Sequence, residues 1–276
     1  MNKSEILENI KTSKKYKHIA EGIIVQEINS YLKKNPQHER YKDEKIIKEI
    51  KASLYKKQAS FSKNPNQALK LIQELEKTPE NEELIRKILE TNKSCRERLD
   101  SYPLIYKKIF ENIGKPNKII DLGAGLNAFS LVFSKLDLKN LEYYSYDINE
   151  RDSELVNRFL KLEKISGKAE ILDLSRIENY NRLEKAEVCF MFKFIDTIER
   201  DKKGHKFAEE IIKFILNYKV KCIVASFSTR TLGGRNMNFP FRGWIERMLT
   251  RVGFRFKLIE FLDAGEVFYI IKNLNN

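Results

Sequence analysis

The chain has 276 residues, 42% hydrophobic and 33% charged, enough apolar material for one large domain or two modest ones. Its 52 Lys and Arg against 39 Asp and Glu leave a formal charge of +13, which favours polyanionic partners through counterion release. Three scattered cysteines (Cys95, Cys189, Cys222) exclude a disulfide framework, and no CxxC pair is present to hold zinc, so no metal is expected. The first residues, MNKSEILENIK, lack the apolar centre of a signal peptide, and no apolar run approaches membrane-spanning length. The expectation is a cytoplasmic protein with no membrane partner. Residues 1–100 hold 22 Lys and Arg against 16 acids and the remainder 30 against 23, so the basic excess is spread and is not a tail.

Up to residue 113 the hydrophobic spacing is helical. Ile46, Ile47, Ile50 and Leu54 recur at steps of three and four, as do Leu84, Ile85, Ile88 and Leu89. NPNQALKLIQELEK begins with Asn-Pro, a cap and a first-turn proline. KTPENEELIRKILE is expected to start its helix the same way, with acids in the first turn where the macrodipole favours them. These segments predict an all-α domain over 1–113.

After GKPNK (114–118) the texture changes. KIIDL, LEYYSYDI, AEILDL, AEVCFMF and VKCIVASF alternate with helical stretches, as parallel βαβ connections require. FRFKLIEF and EVFYIIK are joined only by LDAG, a hairpin distance. The fold class predicted for 114–276 is therefore α/β: a Rossmann-like sheet of seven strands, closed by an antiparallel hairpin and preceded by the all-α domain.

The stretch IIDLGAGLNAFSLVF (119–133) ends the first strand. Gly123 and Gly125 let the backbone turn sharply and approach a ligand, and a helix is expected to follow with free N–H groups. A dinucleotide fingerprint would carry a third glycine where Ala128 stands. Asp121 precedes the glycines, Asp147 ends the next strand and Asp173 is expected to end the third. Three acids at neighbouring strand ends surround the crevice where open sheets bind ligands, although an acid after a strand often only caps a turn. Together with the glycines they favour a nucleoside-bearing cofactor. In its closing hairpin the chain resembles the class I S-adenosylmethionine-dependent methyltransferases more than nicotinamide dehydrogenases.

The chemistry of the acceptor narrows the reading. Methylating carbon-5 of a pyrimidine needs a cysteine nucleophile, but Cys189 and Cys222 lie in apolar strand segments. Exocyclic amines are usually served by an Asn/Asp-Pro-Pro-aromatic segment after the fourth strand, where this chain has FMFKFIDTIER without proline. Guanine N7 already presents a lone pair and needs positioning and desolvation.

Three segments carry a closer resemblance: SCRERLDSYPLIYKKIF (94–110), FKFIDTIERDKKG (192–204) and SFSTRTLGGR (226–235), with SKKYK (13–17) near the start. The chain resembles the aminoglycoside-resistance 16S ribosomal RNA methyltransferases, which modify a decoding-site guanine at N7. That resemblance implies S-adenosylmethionine as cofactor and ribosomal RNA, in the assembled small subunit, as partner. It places Arg98 at the cofactor carboxylate and Gly123, Asp147, Asp173 and Leu174 around the nucleoside, with Asp121, Gly125 and Phe192 counted in the same site. Lys193, Ser226, Arg230 and Arg235 are the implied catalytic set lining the target-base pocket, since Arg pairs bidentately with phosphates or guanine edges. Core packing is the competing role for Phe192, and simple surface exposure for Arg230 and Arg235. The Lys-rich helical domain is expected to hold the RNA backbone through KKYK (14–17) and YKK (55–57), while Gly233 and Gly234 let their loop bend.

There are departures from the family pattern. Ser228 stands where the family has proline, AGLNA (124–128) replaces CGLNP, and NMNFPFRGW follows the double glycine in place of a Lys-Gly-Met segment. Two alternatives remain open at this level: a methyltransferase acting on another RNA such as tRNA, and a noncatalytic RNA-binding assembly factor that keeps the sheet.

Overall fold

The helical spacing of the first 113 residues becomes seven α-helices among the described residues of a computed structural model: α1 (Lys3–Lys11), α2 (Glu21–Lys34), α3 (Asp43–Lys57), α4 (Pro65–Leu75), α5 (Glu82–Glu90), α6 (Lys93–Arg98) and α7 (Tyr102–Ile113). The structure describes residues 2–13, 16–38, 41–57, 65–199, 204–231, 235, 237 and 241–273. Pro65 opens α4 at its first helical position, as expected. In α5 the cap differs. Asn81, not the Thr-Pro pair, ends the loop, its side chain accepting from the Leu84 N–H at 3.1 Å.

These helices fall into two packing groups. Ile6, Ile10, Ile24, Ile28, Ile46, Ile50 and Leu54 of α1–α3 form a core of their own, which includes Ile148. Helices α4–α7 instead belong to the core of the sheet: Ile72, Ile88, Tyr102, Ile105 and Tyr106 share one cluster with Ile119, Phe190, Val224 and Phe268.

The sheet consists of β1 (Lys118–Leu122), β2 (Glu142–Asp147), β3 (Ser166–Ile171), β4 (Val188–Phe192), β5 (Cys222–Ser228), β6 (Phe254–Phe261) and β7 (Glu266–Asn273). Its order is β3-β2-β1-β4-β5-β7-β6. The first five strands pair in parallel, and β7 runs antiparallel to both β5 and β6, so the predicted seven strands and closing hairpin are present. Helices α8 (Glu150–Leu162), α9 (Ile195–Ile198), α10 (Lys206–Tyr218) and α11 (Gly243–Arg251) complete the α/β part. Because side chains alternate along a strand, Ile119 joins the cluster with α4–α7, whereas Ile120 joins the one with Ile211, Ile212 and Ile215 of α10. Covered on both faces, the central strand β4 (VCFMF) is buried and apolar throughout, which is how parallel strands read.

Two expectations are corrected. No α-helix follows β1; residues Asn127–Phe133 form a 3-10 helix. The serines account for this locally: Ser130 Oγ donates to the Asn127 carbonyl at 2.6 Å and Ser134 Oγ to the Leu131 carbonyl at 2.5 Å, favouring the tighter turn. The third strand also ends earlier than AEILDL suggests. Pairing with β2 stops at Ile171, and Asp173 lies two residues beyond, where its Oδ1 accepts from the Ser175 N–H at 3.0 Å and starts a turn.

Candidate functional site

The carboxyl ends of β1 and β2 build a backbone cradle. Gly123 and Gly125 take left-handed conformations, with φ of +66° and +50°. A Cβ on Gly123 would lie 2.6 Å from Cδ2 of Phe194, and one on Gly125 would lie 3.0 Å from the Asn92 amide nitrogen. Glycine is required at 123 by both conformation and space. Asp147, the last residue of β2, fastens the cradle: Oδ2 accepts the Gly125 N–H and Oδ1 the Asn149 N–H, each at 3.0 Å. Burial raises the pKa of its carboxyl, and these backbone donors work against that rise.

Asp121 sits beneath the cradle and is 1% exposed. Its Oδ2 accepts from the Asn127 amide at 2.7 Å and the Tyr143 hydroxyl at 2.5 Å, while Oδ1 is buried without a hydrogen-bond partner. Burial pushes this carboxyl up to about 6, against the two hydrogen bonds that pull it down. Unfolded, it titrates near 3.8. The folded state thus holds this proton more tightly, so the stabilising share is complete below about pH 4 and is lost as pH rises through 6. Differential scanning calorimetry of the unliganded protein between pH 4 and 7 is expected to show the wild type losing stability relative to Asp121→Asn, by on the order of 3 kcal/mol. Parallel pH profiles for the two proteins would contradict this.

A second constellation lies at the ends of β4 and β5. Glu266, fully buried at the start of β7, accepts from Nη1 of Arg98 at 3.2 Å and from the Ser226 hydroxyl, and its Oε2 stands 3.1 Å from Nζ of Lys193. Arg98 is 2% exposed. Its Nε donates to the Tyr102 hydroxyl and Nη1 also to Ser94 Oγ, while Nη2 has no protein hydrogen-bond partner among the described residues. The guanidinium lies 5.2 Å from the centre of the Phe192 ring. Lys193 is held in a left-handed conformation, φ +55°, with its N–H bonded to both the carbonyl and Oγ of Ser226. Its ammonium bridges Glu266 and Oε2 of Glu97.

The predicted residues thus form four groups. Asp121, Gly123, Gly125 and Asp147 share the cradle. Arg98, Phe192, Lys193 and Ser226 share the Glu266 cluster, where Ser226 is fully buried behind the Lys193 backbone. Asp173 and Leu174 lie in the turn after β3: the acid is bound to Ser175 and paired with Arg176 at 3.4 Å, and Leu174 packs beside Ile120 and Tyr146. Arg230 and Arg235 stand beyond the end of β5. Arg230 lies over Gly265 of the closing hairpin and donates to the Asp263 carbonyl at 3.0 Å, and Arg235 is exposed. Gly233 and Gly234 lie outside the described residues. Among those described, no group of three or more His, Cys, Asp or Glu is arranged to hold a metal ion.

Sequence reasoning missed Glu266, Asn127, Asn92 and Tyr143. The one available signal was for Glu266, an acid opening the otherwise apolar EVFYII.

The cradle fits a nucleoside-bearing sulfonium: glycines that admit a ligand to the backbone, an unpartnered carboxylate oxygen and a guanidinium edge without a partner. Comparison with known proteins agrees. A Proteus mirabilis protein described as a 16S rRNA (guanine(1405)-N(7))-methyltransferase is 24% identical over 202 residues, covering 73% of this chain and 69% of its own. One of the same description from Micromonospora rosea is 26% identical over 189 residues, covering 67% and 65%. The crystal structure of the 16S rRNA methyltransferase RmtF, solved with S-adenosyl-L-homocysteine, superposes over 99% of both chains with a TM-score of 0.76 at 20% identity, a likeness of fold. Residues 79–270 match the description "Ribosomal RNA methyltransferase (FmrO)", and with most of its length so matched the chain belongs to that family.

Proposed function

We propose that the protein transfers a methyl group from S-adenosylmethionine to N7 of a guanine in 16S ribosomal RNA, at the decoding site of the assembled small subunit in the cytoplasm. The observation that carries this reading is the Gly123–Gly125 cradle tied to Asp147 at the crevice of a sheet belonging to this family. When bound, S-adenosylmethionine supplies an electrophilic methyl on sulfur.

The roles of the chain's own groups follow from their environments. Asp147 accepts from ribose hydroxyls while its backbone bonds keep the cradle shaped. The free Oδ1 of Asp121 accepts from the α-ammonium group, and Nη2 of Arg98 donates to the carboxylate, its position held by Glu266. Asp173 and Leu174 take the adenine edge and face, and Phe192 closes the floor under Arg98. Ser226, being buried, acts by holding the Lys193 backbone in its left-handed turn, which presents Lys193 toward the acceptor. Arg230 and Arg235 engage the RNA around the extruded base. Guanine N7 has no proton to lose, so the site needs no general base. It excludes water and orients the lone pair.

The helical region supplies RNA contacts. A groove of about 510 Å³ between α1 and α3 is lined by Lys48, Lys51 and the exposed Tyr55, together with Glu44, Ile47 and the buried Tyr16, and its two cations and open aromatic ring offer a contact for nucleic acid. Lys17 is exposed beside it, whereas Lys14 and Lys15 lie outside the described residues and the side chains of Lys56 and Lys57 are not described.

Transfer of labelled methyl to purified 30S particles, naked 16S rRNA and tRNA tests the proposal. The expected result is label in the 30S particle alone, with chain cleavage at one guanine after borohydride and aniline treatment. Label on an exocyclic amine would refute the N7 assignment, and preferential labelling of tRNA would refute the substrate. No calorimetric binding of S-adenosylmethionine would favour a noncatalytic RNA-binding protein.

A further inference from the structure

The loops that carry Asp147 and Asp173 also carry the α1–α3 unit. Ile148, between Asp147 and the N-cap Asn149 of α8, has its side chain in the α1–α3 core, where it is 7% exposed. Backbone bonds flank it: the Ala20 N–H donates to the Ile148 carbonyl at 3.3 Å and the Glu150 N–H to the His18 carbonyl at 3.1 Å, and Ile19 bridges to Asn149. The same Asn149 N–H donates to Oδ1 of Asp147 at 3.0 Å. Asp173 is reached from the same side. Arg176, in the turn after β3, donates from Nη2 to Ser30 Oγ at 3.1 Å and to the Gln26 carbonyl at 3.4 Å, one turn apart on α2. Its Nε stands 3.4 Å from Oδ2 of Asp173. Helix α3 in turn lies against α9, which follows β4.

This seam is narrow. Among the described residues, the α/β part contributes to the α1–α3 core the buried Ile148 and the half-buried Ile171. Burying one isoleucine and part of another stabilises about as much as one or two hydrogen bonds to a charged group. The bonds of Arg176 therefore weigh as heavily in docking as the apolar contact does. Both ligands of the proposed reaction favour the docked arrangement. The cofactor needs Asp147 and Asp173 in place, and an RNA held at once by α1–α3 and by the core needs the two parts in one fixed relation. Two ligands that select the same state strengthen each other's binding, by the same factor in either order.

We propose that docking of α1–α3 on the loops after β2 and β3 couples cofactor binding to RNA binding, with Arg176 as the positioning residue that holds α2 against the Asp173 turn. The coupling rests on the reading of those loops as the nucleoside site and of α1–α3 as an RNA-holding unit. Arg176 touches neither ligand in this scheme. It acts on both through the equilibrium between docked and undocked arrangements, the two-state element that such coupling requires.

The test is a thermodynamic cycle with S-adenosylhomocysteine and purified 30S particles, each titrated in the absence and in the saturating presence of the other. In free Arg176→Ala, affinity for S-adenosylhomocysteine is expected to fall about tenfold, the effect of losing one bond to a charged group. On saturating 30S particles it returns to within about twofold of wild type on the same particles, the precision to which independent effects add. Affinity for 30S falls by a like factor and is restored by saturating S-adenosylhomocysteine. Should Arg176→Ala melt below the assay temperature, Ser30→Ala, which cuts the tie from the α2 side, takes its place with a loss of about threefold. A loss that persists undiminished on the particle would make Arg176 a direct ligand, and no loss in the free protein would mean the two parts are uncoupled. Either result overturns the inference and leaves the cofactor reading intact. Failure of the wild type to bind S-adenosylhomocysteine removes the cofactor reading as well, and failure to bind 30S removes the RNA reading.

Discussion

Replacing Glu266 with alanine is expected to lower the unfolding free energy by roughly 3–5 kcal/mol, because it strands cations that have little water to turn to. Arg98 is 2% exposed and the Lys193 side chain 14% exposed, and both are paired with this one carboxylate. Lys193 keeps Glu97, but Arg98 keeps only neutral partners, Tyr102 and Ser94. The Ser226 hydroxyl loses its acceptor as well. For a chain of this size the melting temperature should fall by on the order of 10 °C. Glu266→Gln keeps the shape and an acceptor but not the charge, and its loss should be smaller. Thermal melting of the three proteins at pH 7 checks the order. A melting temperature for Glu266→Ala within about 2 °C of wild type, the scale of a small stability change, would mean the cluster is solvated and that this network does not organise the site.

Asp147→Ala should weaken cofactor binding far more than it lowers stability, because relieving the burial of the carboxyl offsets part of the two lost backbone bonds. The carboxylate holds the Gly125 N–H and the Asn149 N–H, so its removal both frees the glycine turn and deletes the proposed ribose acceptor. Hydrogen bonds to charged groups contribute about 1.5–3 kcal/mol each. Loss of two such bonds to the proposed ribose hydroxyls predicts an affinity for S-adenosylmethionine weakened by more than about 100-fold. Calorimetric titration measures this directly, and a circular dichroism melt separates it from misfolding. Asp147→Asn retains an acceptor for one of the two backbone donors and should fall between. If Asp147→Ala bound the cofactor within about threefold of wild type, well under the roughly tenfold effect of one hydrogen bond, the ribose assignment would have to move elsewhere in the crevice.

Both predictions turn on residues that were unequally visible in the sequence. Asp147 was legible because local signals converge on it: it closes a β-branched and aromatic run and stands at a fixed distance after the GAG turn. Glu266 was not. It lies 168 positions from Arg98 and 40 from Ser226, and nothing local distinguishes an acid that opens a strand from one that solvates a hairpin. The helix expected after β1 failed for a related reason. Hydrophobic spacing in NAFSLVF suits either helix type, and serine hydroxyls returning to backbone carbonyls tightened it.

The amino-acid sequence by itself determined the alternation of strands and helices, the hairpin that closes the sheet, the glycine turn and the two acids nearest it. These are consequences of local periodicity and of the few residues that tolerate a left-handed backbone. Tertiary structure alone decided that α4–α7 join the core of the sheet while α1–α3 keep another, that Ser226 points inward to hold Lys193, and that Glu266 gathers two cations. Those outcomes depend on which distant groups meet where water is excluded. There the cost of an unpaired charge, negligible in an extended chain, selects the partners.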